Sequence, residues 1–182
     1  MSKENKELRI RPIVESDLQR LWELAYKEES PEWKKWDAPY YPHHVLTLEE
    51  FLENKEQYIS QNSRWAIDIN NTIEGTVSYY WEHKPSLWLE MGICIYNPNY
   101  WNGGYGTKAL KRWIDHLFQT LPLVRVGFTT WSGNHRMMKL GKKLGMTLEA
   151  RLRKCRYYNG KYYDSIRMGL LREEWEDMNE CL

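Results

Sequence analysis

Tyr100-Trp101-Asn102-Gly103-Gly104-Tyr105-Gly106-Thr107-Lys108-Ala109 separates an apolar, strand-like run from a strongly amphipathic helical pattern, so it reads as a glycine loop opening a helix. Such a junction presents unpaired backbone N–H groups and the positive end of the helix dipole, and both attract a phosphate or pyrophosphate. Glycine lets a ligand oxyanion approach the backbone where no Cβ intervenes. The loop therefore points to a phosphate-bearing cofactor; glycines that close a turn without a ligand are the alternative. Gly104 to Ala109 also fits G-x-G-x-x-G/A, but the dinucleotide form of that motif needs an acidic residue about 20 residues further on. The next strand candidate, Leu123 to Trp131, carries no carboxylate, and Lys108 is out of register for a nucleoside triphosphate loop.

Upstream of the loop, Trp65 to Ile69, Thr72 to Glu82 and Leu87 to Tyr96 are β-rich runs punctuated by Asn70-Asn71 and Lys84-Pro85-Ser86, which predicts an antiparallel meander. Downstream, Ala109, Leu110, Trp113, Ile114, Leu117 and Phe118 fall on one helical face. The strand Leu123 to Trp131 and a helix from about Asn134 to Leu144, ended by Gly145, follow. That order implies a parallel crossover within an otherwise antiparallel sheet. Tyr157-Tyr158-Asn159-Gly160-Lys161-Tyr162-Tyr163 carries the Asn-Gly signal of a tight hairpin.

Nearer the N-terminus, Leu8 to Ile13 alternates as a first strand. Ser16-Asp17-Leu18-Gln19 has capping-box form before a helix reaching about Glu29, and Thr47-Leu48-Glu49-Glu50 is a second box before a short helix. Between the two helices, Ser30 to Leu46 holds three prolines and the cluster Trp33, Trp36, Tyr40 and Tyr41, a loop longer than ordinary connectors.

The chain of 182 residues is long enough for one sizeable core, and a single domain, 1–182, of mixed α and β structure is expected. Lys plus Arg number 26 against 25 for Asp plus Glu; with a net charge of +1 there is no bulk attraction to nucleic acid or to an anionic membrane, so any anion is bound locally. The charged N-terminus has no following apolar run, so neither a signal peptide nor a transmembrane span is expected. Cys94, Cys155 and Cys181 form no C-x-x-C pair, and His43, His44, His83, His116 and His135 show no metal-ligand spacing, so no metal is expected. A reducing cytoplasm fits this cysteine usage. As an assembly, a monomer or homodimer is expected.

Taken in order, Leu8-Arg9-Ile10-Arg11-Pro12, Glu90-Met91-Gly92-Ile93-Cys94-Ile95, the glycine loop, Asn134-His135-Arg136, Lys143-Leu144-Gly145-Met146, and Arg151 through Asp164 to Leu171 resemble the GNAT acyltransferase superfamily. Within it, the chain is similar to the branch of the ribosomal-protein N-terminal acetyltransferases. The resemblance implies a mostly antiparallel central sheet of about seven strands flanked by helices, with a splayed strand pair at the cofactor site. It also implies acetyl-coenzyme A as co-substrate and a primary amine as acceptor, either a protein N-terminus or a small molecule. The cofactor's pyrophosphate would lie on the loop of Trp101, Asn102, Gly103, Gly104, Tyr105, Gly106 and Thr107, its pantetheine arm along Ile93, Cys94 and Ile95, with Asn134 hydrogen-bonding that arm or simply capping its helix. Trp101 stands where the superfamily usually has Gln or Arg. The family's usual tyrosine acid falls on Gly141, so either another group, water or a different tyrosine, protonates the thiolate, or a thiol of pKa ~8.5 leaves with little help; Gly141 could also widen the acceptor side.

An amine attacks a thioester only when unprotonated, so a base helps. Glu90, inside an apolar strand one step before the cofactor segment, is the candidate base; a carboxylate paired across the sheet to Lys or Arg is the alternative. Acceptor selection falls to the loop and the hairpin, with Trp33, Trp36, Asp37, Tyr40, Tyr41 and Asp164 as candidates through charge and cation–π contact. Packing explains the same rings, and a hairpin charge the same aspartate.

Overall fold

Alternation in the β-rich runs resolves, in a computed structural model that describes residues 7–180, into a seven-stranded sheet of order β1-β2-β3-β4-β5-β7-β6. The strands are β1 (Leu8–Pro12), β2 (Arg64–Ile69), β3 (Thr72–His83), β4 (Trp88–Ile95), β5 (Arg125–Trp131), β6 (Thr147–Tyr158) and β7 (Lys161–Leu171). The helices are α1 (Leu18–Ala25), α2 (Leu48–Glu53), α3 (Tyr105–Thr120), α4 (His135–Lys143) and α5 (Arg172–Glu180). Pairs β1–β2, β2–β3, β5–β7 and β6–β7 are antiparallel. The β4–β5 pair is parallel and short: it joins Trp88 to Arg125, Leu89 to Val126 and Glu90 to Gly127, and there the ladder ends although both strands continue. This is the expected crossover and the expected splay. Cys181 lies outside the described residues.

The described residues form two compact units. One takes those up to Trp33 with His43–Ser78 and Ile93–Trp113; the other takes Lys34–Pro42, Tyr79–Gly92 and those from Ile114 on. In the first unit, Ile13, Leu18, Leu21, Ala25, Phe51, Tyr58, Ala66 and Ile73 form a buried cluster. Each Ile, Leu or Phe side chain of this cluster contributes about 1.5–3 kcal/mol by leaving water. Helix α2 starts as its sequence dictates: Thr47 Oγ1 accepts from the Glu50 N–H at 3.2 Å, and Glu50 Oε2 accepts from the Thr47 N–H at 2.8 Å.

Helix α1 departs from expectation at both ends. No side chain caps its start: Asp17 holds the N-cap position, but its carboxylate turns back to accept from the Val14 N–H at 2.9 Å, closing the 3-10 turn Glu15–Asp17, while Arg11 grips it at 2.6 and 2.8 Å, so the expected Ser16 box does not form. The helix stops at Ala25 rather than about Glu29, because the Trp22 indole donates to the Leu46 carbonyl and the Leu46 N–H donates to Tyr26, turning the chain away.

In the second unit, Leu89, Met91, Val126, Phe128, Ile166, Met168 and Leu170 are buried. The hairpin turn has Asn159 at φ 47° and Gly160 at φ 76°, the conformation that the Asn-Gly pair predicts. Helix α5 was not anticipated from sequence. Arg172 anchors it by donating to the carbonyls of Phe118, Leu121 and Leu123, and the Trp175 indole donates to Asp115 at 2.9 Å. No helix among the described residues is long and apolar enough to cross a membrane.

Candidate active site

The glycine loop belongs to the first unit and is held from both sides. Upstream, the Glu74 carboxylate, buried and paired with Arg20, accepts from Asn97 Nδ2 at 2.8 Å, which fixes the turn entering the loop. The Trp101 indole donates to the Ile95 carbonyl at 2.8 Å, tying the loop to the end of β4. Trp101 thus acts as a brace whose polar atom is spent on the backbone.

Beyond the brace, Asn102 (φ 61°) and Gly104 (φ 81°) take the left-handed conformation that turns the chain into α3. A Cβ on Gly103 would lie 2.8 Å from the Tyr105 ring, and one on Gly104 would meet nothing within 4 Å, so the Gly104 side of the loop is open. Helix α3 begins with the Lys108 N–H donating to the Gly104 carbonyl at 3.1 Å. The N–H groups of Asn102, Gly103, Gly104, Tyr105, Gly106 and Thr107 find no acceptor among the described residues. Left-handed backbone followed by a helix start turns consecutive N–H groups toward one concavity, an arrangement that fits a pyrophosphate.

Just past the end of β4, the Tyr96 N–H donates to the Glu74 carbonyl of β3 at 3.0 Å. Backbone groups alternate sides along a strand, so Cys94 also faces β3, while Ile93 and Ile95 face the opposite edge, where the ladder to β5 has ended. The Ile95 carbonyl is taken by Trp101; Ile93 presents an N–H and a C=O along that edge.

Glu90 lies in the second unit and is 2% exposed. Its Oε2 accepts from the Tyr80 hydroxyl and from Thr129 Oγ1, both at 2.7 Å, and its Oε1 is 3.6 Å from Arg167 Nη1. Arg167 also holds Glu82 at 2.9 Å. The row Tyr80, Glu90, Thr129, Arg167 crosses the adjacent strands β3, β4, β5 and β7 on one face, with Thr129 and Arg167 in register. Desolvation, and then the bond to Glu90, hold the Tyr80 proton well above the usual tyrosine range. Sequence reading singled out Glu90 as a candidate but not its neighbours Tyr80, Thr129 and Arg167, because alternation gives each strand's faces and not which strands become neighbours.

Two residues further along β5 on the same face, the Trp131 indole donates to the Trp36 carbonyl at 3.0 Å and its ring meets Tyr163 edge-on at 5.1 Å. The segment 34–42 is thereby fastened to the face that carries Glu90. The Arg136 guanidinium lies over Trp36 at 4.0 Å, Arg156 over Tyr40 at 5.8 Å, and Tyr41, 57% exposed, meets Tyr40 at a tilt, 5.1 Å between ring centroids. Asp37 is bridged to Lys34. Asp164 accepts from Arg151 at 2.6 Å and from the Lys154 N–H at 2.8 Å, so it braces its hairpin. Trp33 belongs to the first unit, where its indole donates to Leu24 and its ring packs against Tyr96. Asn134 caps α4 by accepting from the Met137 N–H at 3.0 Å.

Gly141 does not open the acceptor side. A Cβ there would sit 2.9 Å from both Met168 Sδ and Phe128 Cζ, buried residues on the sheet face opposite Thr129 and Arg167. Gly141→Tyr is therefore expected to lower thermal stability by several degrees without raising any acetyl transfer, measured by melting and thiol release on the same protein.

The family description "Acetyltransferase (GNAT) domain" matches residues 7–147. The SPbeta prophage-derived uncharacterized N-acetyltransferase YokL of Bacillus subtilis (strain 168) is 27% identical over 141 residues, 77% of this chain and 78% of that protein. YdaF of the same organism, named as a candidate ribosomal N-acetyltransferase, is 25% identical over 96% of each chain. Among solved structures, a Vibrio cholerae spermidine N-acetyltransferase in complex with CoA and spermine superposes with a TM-score of 0.73 at 21% identity, covering 93% of this chain and 98% of that one. With the family match spanning the glycine loop, Glu90 and α4, the chain belongs to the GNAT acetyltransferase family.

Proposed function

We propose that this chain, working as one acetyltransferase domain, transfers the acetyl group of acetyl-coenzyme A to a primary amine by direct attack. The observation that carries the reading is the set of uncapped amides from Asn102 to Thr107 beside the open flank of Gly104. Those amides would hold the pyrophosphate, and the free edge of Ile93 would pair with the pantetheine arm. Bound acetyl-coenzyme A supplies an activated thioester carbonyl. Glu90 stands three residues before Ile93 on the same strand, about 10 Å along it, and serves as base for the amine. Unity of the domain is supported by β3 and β4, which each run unbroken through both units.

Thiol release from acetyl-coenzyme A, measured against a panel of amines, tests the reading. Release with at least one amine is expected. No release with any amine, despite calorimetric binding of coenzyme A, would instead mark a non-catalytic cofactor-binding module.

The acceptor chemistry favours an α-amino group over a polyamine. Asp37 and Asp164 are the only carboxylates of segment 34–42 and of hairpin 157–164, and each is matched by a cation of the chain. Glu82 and Glu90 share Arg167, and the Trp36 and Tyr40 faces carry Arg136 and Arg156. A trication therefore meets charges already compensated. Free-base availability adds to this, because an amine of pKa ~8 is about 10²-fold more unprotonated at neutrality than one of ~10.4. The kcat/KM for spermidine is expected to fall at least about tenfold below that for a short peptide with a free N-terminus; spermidine as the better acceptor would reverse this choice.

A further inference from the structure

Glu90 is almost wholly shut off from solvent, and its Oε2 meets the outside through two hydroxyls, those of Tyr80 and Thr129. Tyr80 is 53% exposed while its hydroxyl sits on the buried carboxylate, so it bridges solvent and base, as the exposed Thr129 also does. Thr129 touches the same oxygen, but an aliphatic hydroxyl is a much weaker acid than a phenol. Helix α4 offers no phenol of its own at Gly141, where the Cβ direction is filled by Phe128 and Met168.

We propose that Tyr80 is the proton relay between the acceptor amine and Glu90. The proposal rests on the transferase reading with Glu90 as base. An N–H bond of the ammonium breaks as an O–H bond forms at Tyr80 Oη, and the proton already on Oη passes to Glu90 Oε2. Tyr80 begins and ends as a neutral phenol, Glu90 becomes a carboxylic acid, and the nitrogen gains the lone pair with which it attacks. Of the two protons that the amine loses in forming an amide, one is matched by the proton that the departing sulfur takes up, and the other leaves for solvent, from Glu90 back through the exposed Tyr80. Because desolvation and the Glu90 bond raise its pKa, Tyr80 does not act as a standing tyrosinate; it gives a proton as it receives one. Arg167, held also by Glu82, keeps Oε1 engaged so that Oε2 is the receiving atom.

The test uses the full chain with Tyr80→Phe, Glu90→Gln, the double variant and Thr129→Val. Tyr80→Phe is expected to lower kcat about tenfold to a hundredfold near neutrality, with the loss shrinking above the pKa of the amine. The KM for acetyl-coenzyme A and the calorimetric Kd for coenzyme A should stay within about twofold of wild type. The double variant should be no slower than Glu90→Gln alone, because both residues serve one path. Thr129→Val should lose less than Tyr80→Phe. Wild-type kcat in Tyr80→Phe, or losses that multiply in the double variant, overturns the relay. Wild-type kcat in Glu90→Gln overturns the base assignment, and the relay with it.

Discussion

Gly104→Val should raise the Kd for coenzyme A by about 10²-fold or more, because it places a branched Cβ on the open flank where the pyrophosphate would approach. Charge-assisted hydrogen bonds are worth about 1.5–3 kcal/mol each, and losing two of them accounts for a change of that size at 1.4 kcal/mol per tenfold. The substitution also has a backbone cost. Gly104 sits at φ 81°, where a residue with a Cβ is strained by about 1–2 kcal/mol.

Gly160 separates the two effects. It has φ 76°, and a Cβ on it likewise meets nothing within 4 Å, but it lies in the β6–β7 turn rather than in the loop. Gly160→Val should therefore lose similar thermal stability and keep its coenzyme A affinity. If calorimetry gives the two variants the same Kd, the loop is a turn without a cofactor, and the alternative reading of its glycines holds.

The loop was legible in the sequence because its geometry is local. Two left-handed residues, a glycine under the Tyr105 ring and a helix start all lie within six positions, and each follows from residue type. The hairpin at Asn159-Gly160 and the Thr47 capping box were legible for the same reason. The surroundings of Glu90 were not. Its partners come from β3, β5 and β7, up to 77 positions away, and the pairing that joins them depends on a parallel crossover whose register no local pattern encodes. The aromatic loop shows the same limit. Its rings could be recognised as a cluster, but only the fold reveals that Arg136 and Arg156 already cover two of them, which changes the charge the acceptor would meet. The premature end of α1 also came from a distant contact, the Trp22 indole on the Leu46 carbonyl.

Glu90→Gln should lower kcat/KM about 10²–10³-fold near neutrality, the range that a positioned general base contributes. The direction of its pH dependence follows from the acceptor. Below the pKa of an α-amino group, ~8, most of the amine is ammonium and a proton must be removed before attack; above it the free amine is abundant and the base matters less. The deficit should thus be largest in acid and neutral solution and narrow as the pH rises. The fold should tolerate the change, because Arg167 retains Glu82 at 2.9 Å and its charge is not orphaned, while Tyr80 and Thr129 keep an oxygen to bond. Glu82→Gln is the matched control: it removes the other carboxylate beside Arg167 and leaves the base in place, so its loss should stay below about threefold. A deficit of equal size at every pH would mean that Glu90 acts through structure alone, and a rate equal to wild type across the range would remove it from the chemistry.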